Sequence, residues 1–304
     1  MSLFANLPPW AVVALAWLTS STVLAITSAF LGGVTTIMAR LVLQKMRPQE
    51  VMVISFVVMM SVLLILSPHF YVYKPSLESA LVIVALCLID TVANLLLFKA
   101  HANAEPGVSS PLLALTPFFT FLFGWVLMGD RPDIPSAALS FAIVMVLILL
   151  SIDLSRWRQI SGTVILPALL SGVLFGLSAI PAKHLLSTMD AINAPTLYMF
   201  RSAYIALFSL IFLDLKLSGV TQKEFRLILV RSLLVIAQWL CFYLALQKGE
   251  AGITVTLANL TPVFVFILAP FFLKERTIFK TLLARDRFRW SSPKKIAESS
   301  ANDF

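Results

Sequence analysis

Residues 257–276 read LANLTPVFVFILAPFFLKER, and residues 112–131 read LLALTPFFTFLFGWVLMGDR. The two align without a gap at an offset of 145, each with a proline inside an apolar run. The match extends backwards, where Leu95, Ala100, Glu105 and Gly107 recur as Leu240, Ala245, Glu250 and Gly252. A second block repeats at an offset of 143. There AITSAFLGGVTTIMAR (25–40) faces ALLSGVLFGLSAIPAK (168–183), and Ser28, Gly33, Ile37 and Ala39 recur as Ser171, Gly176, Ile180 and Ala182. The chain is therefore written twice.

Composition decides the solvent in which this repeat folds. Of 304 residues, 59% are hydrophobic and 12% charged, with a mean hydropathy of +0.93. Soluble domains run nearer ~45–50% apolar and ~25% charged, so the expectation is an all-α polytopic membrane protein. Crossing ~30 Å of hydrocarbon takes ~20 apolar residues. Nine runs qualify, near 13–39, 49–67, 79–100, 107–128, 135–153, 163–183, 193–213, 226–246 and 251–273. Spans one to four repeat as six to nine, with the fifth between. An odd number of spans per unit makes the second unit enter the membrane upside down, the inverted-repeat plan of many secondary transporters. The expected organisation is a first repeat over 13–153, a second over 163–273 and a basic polar tail over 274–304. The first apolar run is too long for a signal h-region and lacks a basic flank, so it is expected to be a retained helix.

Net charge is +8, but its placement argues for topology rather than nucleic-acid binding. Alternating spans put ten Lys and Arg in the connections from Arg40 to Arg231 on one side, together with eight in the tail from Lys274 to Lys295. The other side receives Lys74, Arg131, Lys183 and Lys248. The positive-inside rule makes the richer side cytoplasmic, with the N-terminus outside and the tail inside, in a bacterial inner membrane. The two cysteines, Cys87 and Cys241, fall inside spans and offer no disulfide framework. No phosphate loop, GxSxG or HExxH is present, so neither a cofactor nor catalysis is expected.

FYLALQKGEAGITVTLANLTPVFVFILAPFFLKER (242–276) resembles the signature of the EamA family of the drug/metabolite transporter superfamily. The likeness lies in an aromatic-Ala-Leu turn, a small-residue helix start, a mid-helix proline and a terminal Glu-Arg, with a weaker copy ending in GDR. It covers roughly residues 20 to 280. The resemblance implies a ten-helix carrier of two inverted five-helix units, moving amino acids, other small metabolites or drugs by alternating access. This chain departs from it at 279–298, FKTLLARDRFRWSSPKKIAE, where a tenth helix belongs. Charges at a span centre cost ~2.5–3.5 kcal/mol each on insertion scales, so this segment is not expected to cross. The groove so left would favour a homodimer, and the rival expectation is a truncated, non-transporting remnant that acts only through partner binding.

Ionisable groups within spans are candidates for function because their burial is costly. Asp90, Asn94, Phe98 and His101 share one helical face by their spacing. The matching face in the second repeat reads Val235, Trp239, Tyr243 and Leu246. A polar wall against an aromatic one suits a small amphiphile. Asp90 is read either as binding an amine or exchanging a proton with the coupling gradient, or as a structural partner of Arg201. Arg201 itself is read as snorkelling or as binding an anion. Gln238 and Asn259 are read as lining the path or bonding between helices. Pro117 and Pro262 free the carbonyls of Leu113 and Ala258, and matched depth marks them as kinks or gates. Gly172 with Gly176, and Ala29 with Gly33, are small-residue pairs that admit close helix packing.

Overall fold

The computed structural model describes residues 20–103, 115–129, 138, 141, 142, 145, 162–213 and 220–273. Helices account for nearly all of these. They are α1 (Ser21–Leu43), α2 (Pro48–Leu66), α3 (Leu77–Asn103), α4 (Thr116–Phe123), α5 (Gly162–Lys183), α6 (Ala194–Phe212), α7 (Gln222–Lys248), α8 (Ala251–Ala258) and α9 (Thr261–Leu273). Single π turns extend α4 to Met128 and α5 to Thr188. Six of the helices are long and apolar enough to cross a bilayer. The expected fifth span and the tail lie outside the described residues, apart from four isolated positions in the former.

The helix starts follow local chemistry. Asn193 accepts from the Thr196 amide at 3.0 Å and caps α6, a bond that satisfies one orphan N–H of the first turn. Thr221 and Glu224 close a reciprocal capping box at the start of α7, at 3.3 and 3.0 Å. That box begins the helix at Gln222, four residues before the apolar run that marks the span. Arg231 thus stands nine residues, about 13 Å at 1.5 Å per residue, from the start of the helix and so within the bundle.

Polarity is distributed as lipid demands. Ser55, Ser79, Thr196, Ser202 and Ser232 are fully buried, whereas Ile65, Leu77 and Ile211 are more than 70% exposed. A buried hydroxyl can bond a carbonyl across helices, as Ser171 Oγ does to Ala93 O at 2.9 Å, or within its own helix, as Thr91 Oγ1 does to Cys87 O at 2.7 Å. Without water to compete, such bonds and close packing hold membrane helices together.

The two repeats interlock about an approximate two-fold axis. Helix α1 packs chiefly on α7, and its counterpart α5 chiefly on α3, the counterpart of α7. Likewise α9 lies on α1 while α4 lies on α5, and α2 pairs with α6. The repeats run in opposite directions. The segments after α2 and after α5 meet at one end, where Lys74 N donates to Ala191 O (2.8 Å) and Asn193 N to Val72 O (3.4 Å). A four-residue connection turns α1 back into α2, so α5 runs with α2 and against its own counterpart α1. Asn193 Nδ2 to Phe70 O (2.6 Å) and a Lys74–Asp190 ion pair (2.7 Å) complete this knitted end.

Matched glycines let the helices approach. A Cβ at Gly33 would lie 2.7 Å from Phe264 Cβ, and one at Gly176 would lie 2.8 Å from Phe119 Cβ and 2.9 Å from Thr116 O. Overpacking a closed contact costs ~1–3 kcal/mol. Gly33→Ala and Gly176→Ala are each expected to lose that much in detergent unfolding. The Gly176 variant should lose more, because rigid backbone stands in its way.

Candidate functional site

The ninth expected span is two helices rather than one kinked helix. α8 stops at Ala258, Asn259 and Leu260 turn, and α9 restarts at Thr261 with Pro262 in its first turn. Proline deprives Ala258 O of its helical donor, and Thr261 Oγ1 replaces it at 3.0 Å while also lying 3.3 Å from Ala29 O. Asn259 Nδ2 donates to Val255 O at 2.8 Å. A broken backbone at membrane depth survives where protein or a cavity supplies such partners. In the first repeat Pro117 likewise sits in the first turn of α4, and Thr120 Oγ1 reaches Thr116 O at 3.1 Å. Leu113, whose carbonyl Pro117 frees, lies outside the described residues.

Beside this break lies a cavity of about 240 Å³, walled by both repeats. Its lining includes polar side chains, Thr35, Thr36, Ser55, Asn94, Arg231, Gln238, Asn259 and Thr261. Aromatic rings of Phe56, Phe98, Phe175, Trp239, Phe242 and Tyr243 complete much of the rest. Along α7 it extends from Arg231 to Tyr243, about 18 Å of helix. Several of the polar groups bond to one another: Thr35 Oγ1 donates to Gln238 Oε1 at 2.9 Å, and Arg231 Nε donates to Thr35 O at 3.2 Å. Arg231 Nη1 reaches Ser55 Oγ at 3.3 Å. Asn94 Nδ2 turns back to Asp90 O at 2.8 Å, leaving its side-chain oxygen without a hydrogen bond among the described residues.

Asn94, Phe98, Gln238, Trp239, Tyr243, Asn259 and Pro262 are thus brought together in one wall. Asp90 and Arg201 lie behind it. Their side chains are 1% exposed and pair at 2.6 Å between Asp90 Oδ2 and Arg201 Nε. The Arg201 guanidinium sits 3.6 Å from the centre of the Trp239 ring and 5.9 Å from that of Tyr198. Tyr198 and Trp239 are stacked at 6.1 Å. From the cavity inwards the order is therefore an indole face, a cation and a carboxylate. Asp90 Oδ1 and Arg201 Nη1 are buried without hydrogen bonds among the described residues. Ser178, in the cavity wall beside the carboxylate, donates to Phe175 O at 3.1 Å.

Sequence reasoning missed Arg231, Thr35 and Ser55. Arg231 counts as a surface charge in the positive-inside tally, and removing it leaves the sign of the bias unchanged. A signal was present, since Val235, Gln238 and Phe242 follow it at four, seven and eleven residues and share its face. On α7 the cavity includes Gln238 and Phe242, whereas Leu246 is fully buried in the core. The side chain of His101 lies outside the described residues.

Among the described residues no cluster of His, Cys, Asp and Glu is arranged to hold a metal. No curated protein matches the chain in sequence. One solved crystal structure superposes with a TM-score of 0.63 over 82% of this chain and 87% of its own, at 16% identity, a likeness that shows the fold alone. The model of the EamA-like transporter family matches residues 19–152 and again 162–284. A family repeated twice, apolar helices of spanning length and polar groups turned inward agree: the chain is an integral membrane protein and belongs to the EamA-like transporter family.

Proposed function

We propose that the protein is a secondary transporter that exports small metabolites, amino acids or related amphiphiles, by alternating access. The observation that carries this reading is the cavity of about 240 Å³ between the repeats, lined by both polar and aromatic side chains, at the break between α8 and α9. Sites at a repeat interface beside discontinuous helices are where inverted-repeat carriers bind their cargo. Asn94, Gln238 and Asn259 provide the polar contacts, while Phe98, Trp239 and Tyr243 hold the apolar body. Pro117 and Pro262 mark the half-helices that rearrange. The protein sits in a bacterial inner membrane with the N-terminus outside, as its basic residues direct.

Purified protein in liposomes should exchange labelled amino acids by counterflow, a measurement that needs no coupling gradient. No exchange of any amino acid or small amphiphile by folded protein would defeat the proposal. Proton coupling in this reading runs through Asp90 and requires its pair with Arg201 to open during the cycle. Its test is Asp90→Asn, which must flatten the pH dependence of flux. A profile identical to the parent's would remove Asp90 from coupling.

A further inference from the structure

We infer that Arg231 is an anion-binding subsite, and that the cargo of this cavity is an organic monocarboxylate with a flat apolar body. The inference deepens the transport reading and rests on it for its biological meaning.

Among the described residues Arg201 and Arg231 both reach the bundle interior near the cavity, and they stand in different electrostatic states. Arg201 has a carboxylate at 2.6 Å and an indole between it and the cavity. Arg231 has neither. Its Nε and Nη1 are held by Thr35 O and Ser55 Oγ, both uncharged, and no carboxylate pairs with it among the described residues. Nη2 carries no protein hydrogen bond among those residues, and the side chain lines the cavity. The described cavity wall contains no Asp or Glu.

A guanidinium in a membrane interior without a counter-charge is costly. Two of its donor atoms are fixed by the protein, so its orientation is set before any ligand arrives, and preorganisation lowers the cost of binding. A carboxylate is the group whose geometry a planar guanidinium matches. A phosphate monoester would bring close to two charges at neutral pH to a wall with one cation. The Phe98 ring centre lies 5.8 Å from the Arg231 guanidinium, which places an aromatic surface beside the anion site. An amine finds no acid there, because Asp90 is committed to Arg201.

The test is isothermal titration of the whole purified chain with matched triads: carboxylate, primary amide and amine on phenylmethyl, indolylmethyl and isobutyl bodies. The carboxylate should bind at least tenfold tighter than its amide in one triad or more, with the amine weakest. Arg231→Gln should abolish that preference, and Arg231→Lys should retain part of it. Unliganded thermal unfolding checks that each variant folds, and the parent's own preference stands independently of any variant. Failure of every carboxylate to exceed its amide, or absence of binding throughout, overturns the subsite. Counterflow on the same triads separates the two readings. Selective binding without flux upholds the subsite and counts against transport, whereas flux indifferent to charge upholds transport and overturns the subsite.

Discussion

Arg201→Met is expected to destabilise the folded protein by roughly 3–5 kcal/mol, because removing one partner strands the other charge in a low-dielectric interior. Asp90→Leu should cost a similar amount for the mirrored reason. The double variant should recover most of the loss, since replacing both charges with apolar groups of like volume is often close to neutral. Both side chains are 1% exposed, so screening by solvent does not erode the effect. Unfolding in detergent across the four proteins of a double-mutant cycle isolates the coupling. Additive losses would mean that the pair is structurally incidental.

Trp239→Ala carries the second large effect, and it acts on two levels. Loss of a large aromatic from a packed site costs ~3–5 kcal/mol, and the half-buried position of Trp239 places it near the lower end. The indole also covers Arg201 at 3.6 Å, a desolvated cation–π contact of ~2 kcal/mol within that total. Its removal exposes to the cavity a cation that the native protein conceals. Trp239→Phe keeps a π face and should restore more than half the stability, whereas Trp239→Leu should not. Thermal unfolding of the three variants, with counterflow alongside, checks both levels. Equal stability of the Phe and Leu variants would show that packing alone explains Trp239.

The sequence made some of these features legible and hid others for physical reasons. Hydropathy and the 143- and 145-residue offsets exposed the repeat because lipid requires long apolar runs, and duplicated runs keep their small residues where helices touch. Gly33 and Gly176 meet Phe264 and Phe119 at almost the same distance, so the repeat in the text is a repeat in contact. Pro262 announced a disturbance. Its form depended on Thr261 and Asn259 side chains turning back onto carbonyls, which makes a full break tolerable where a kink was expected. Asp90 and Arg201 stood out as charges within spans, but that both lie behind the cavity wall was decided by their pairing and by one indole. Arg231 was hidden for the opposite reason. A charge near a span end reads as topology until a capping box moves the helix start and two other helices supply Thr35 and Ser55.

The central claim is that the wall at the repeat interface meets solutes from both sides of the membrane. Thr36 lines that wall, and Cys87 and Cys241 are the only native thiols. Thr36→Cys in a background of Cys87→Ala and Cys241→Ala, labelled in oriented vesicles with a membrane-impermeant thiol reagent, tests the claim directly. The account predicts labelling from either face and slower labelling when a transported carboxylate is present. Labelling from one face only, at a rate that no solute changes, would contradict it.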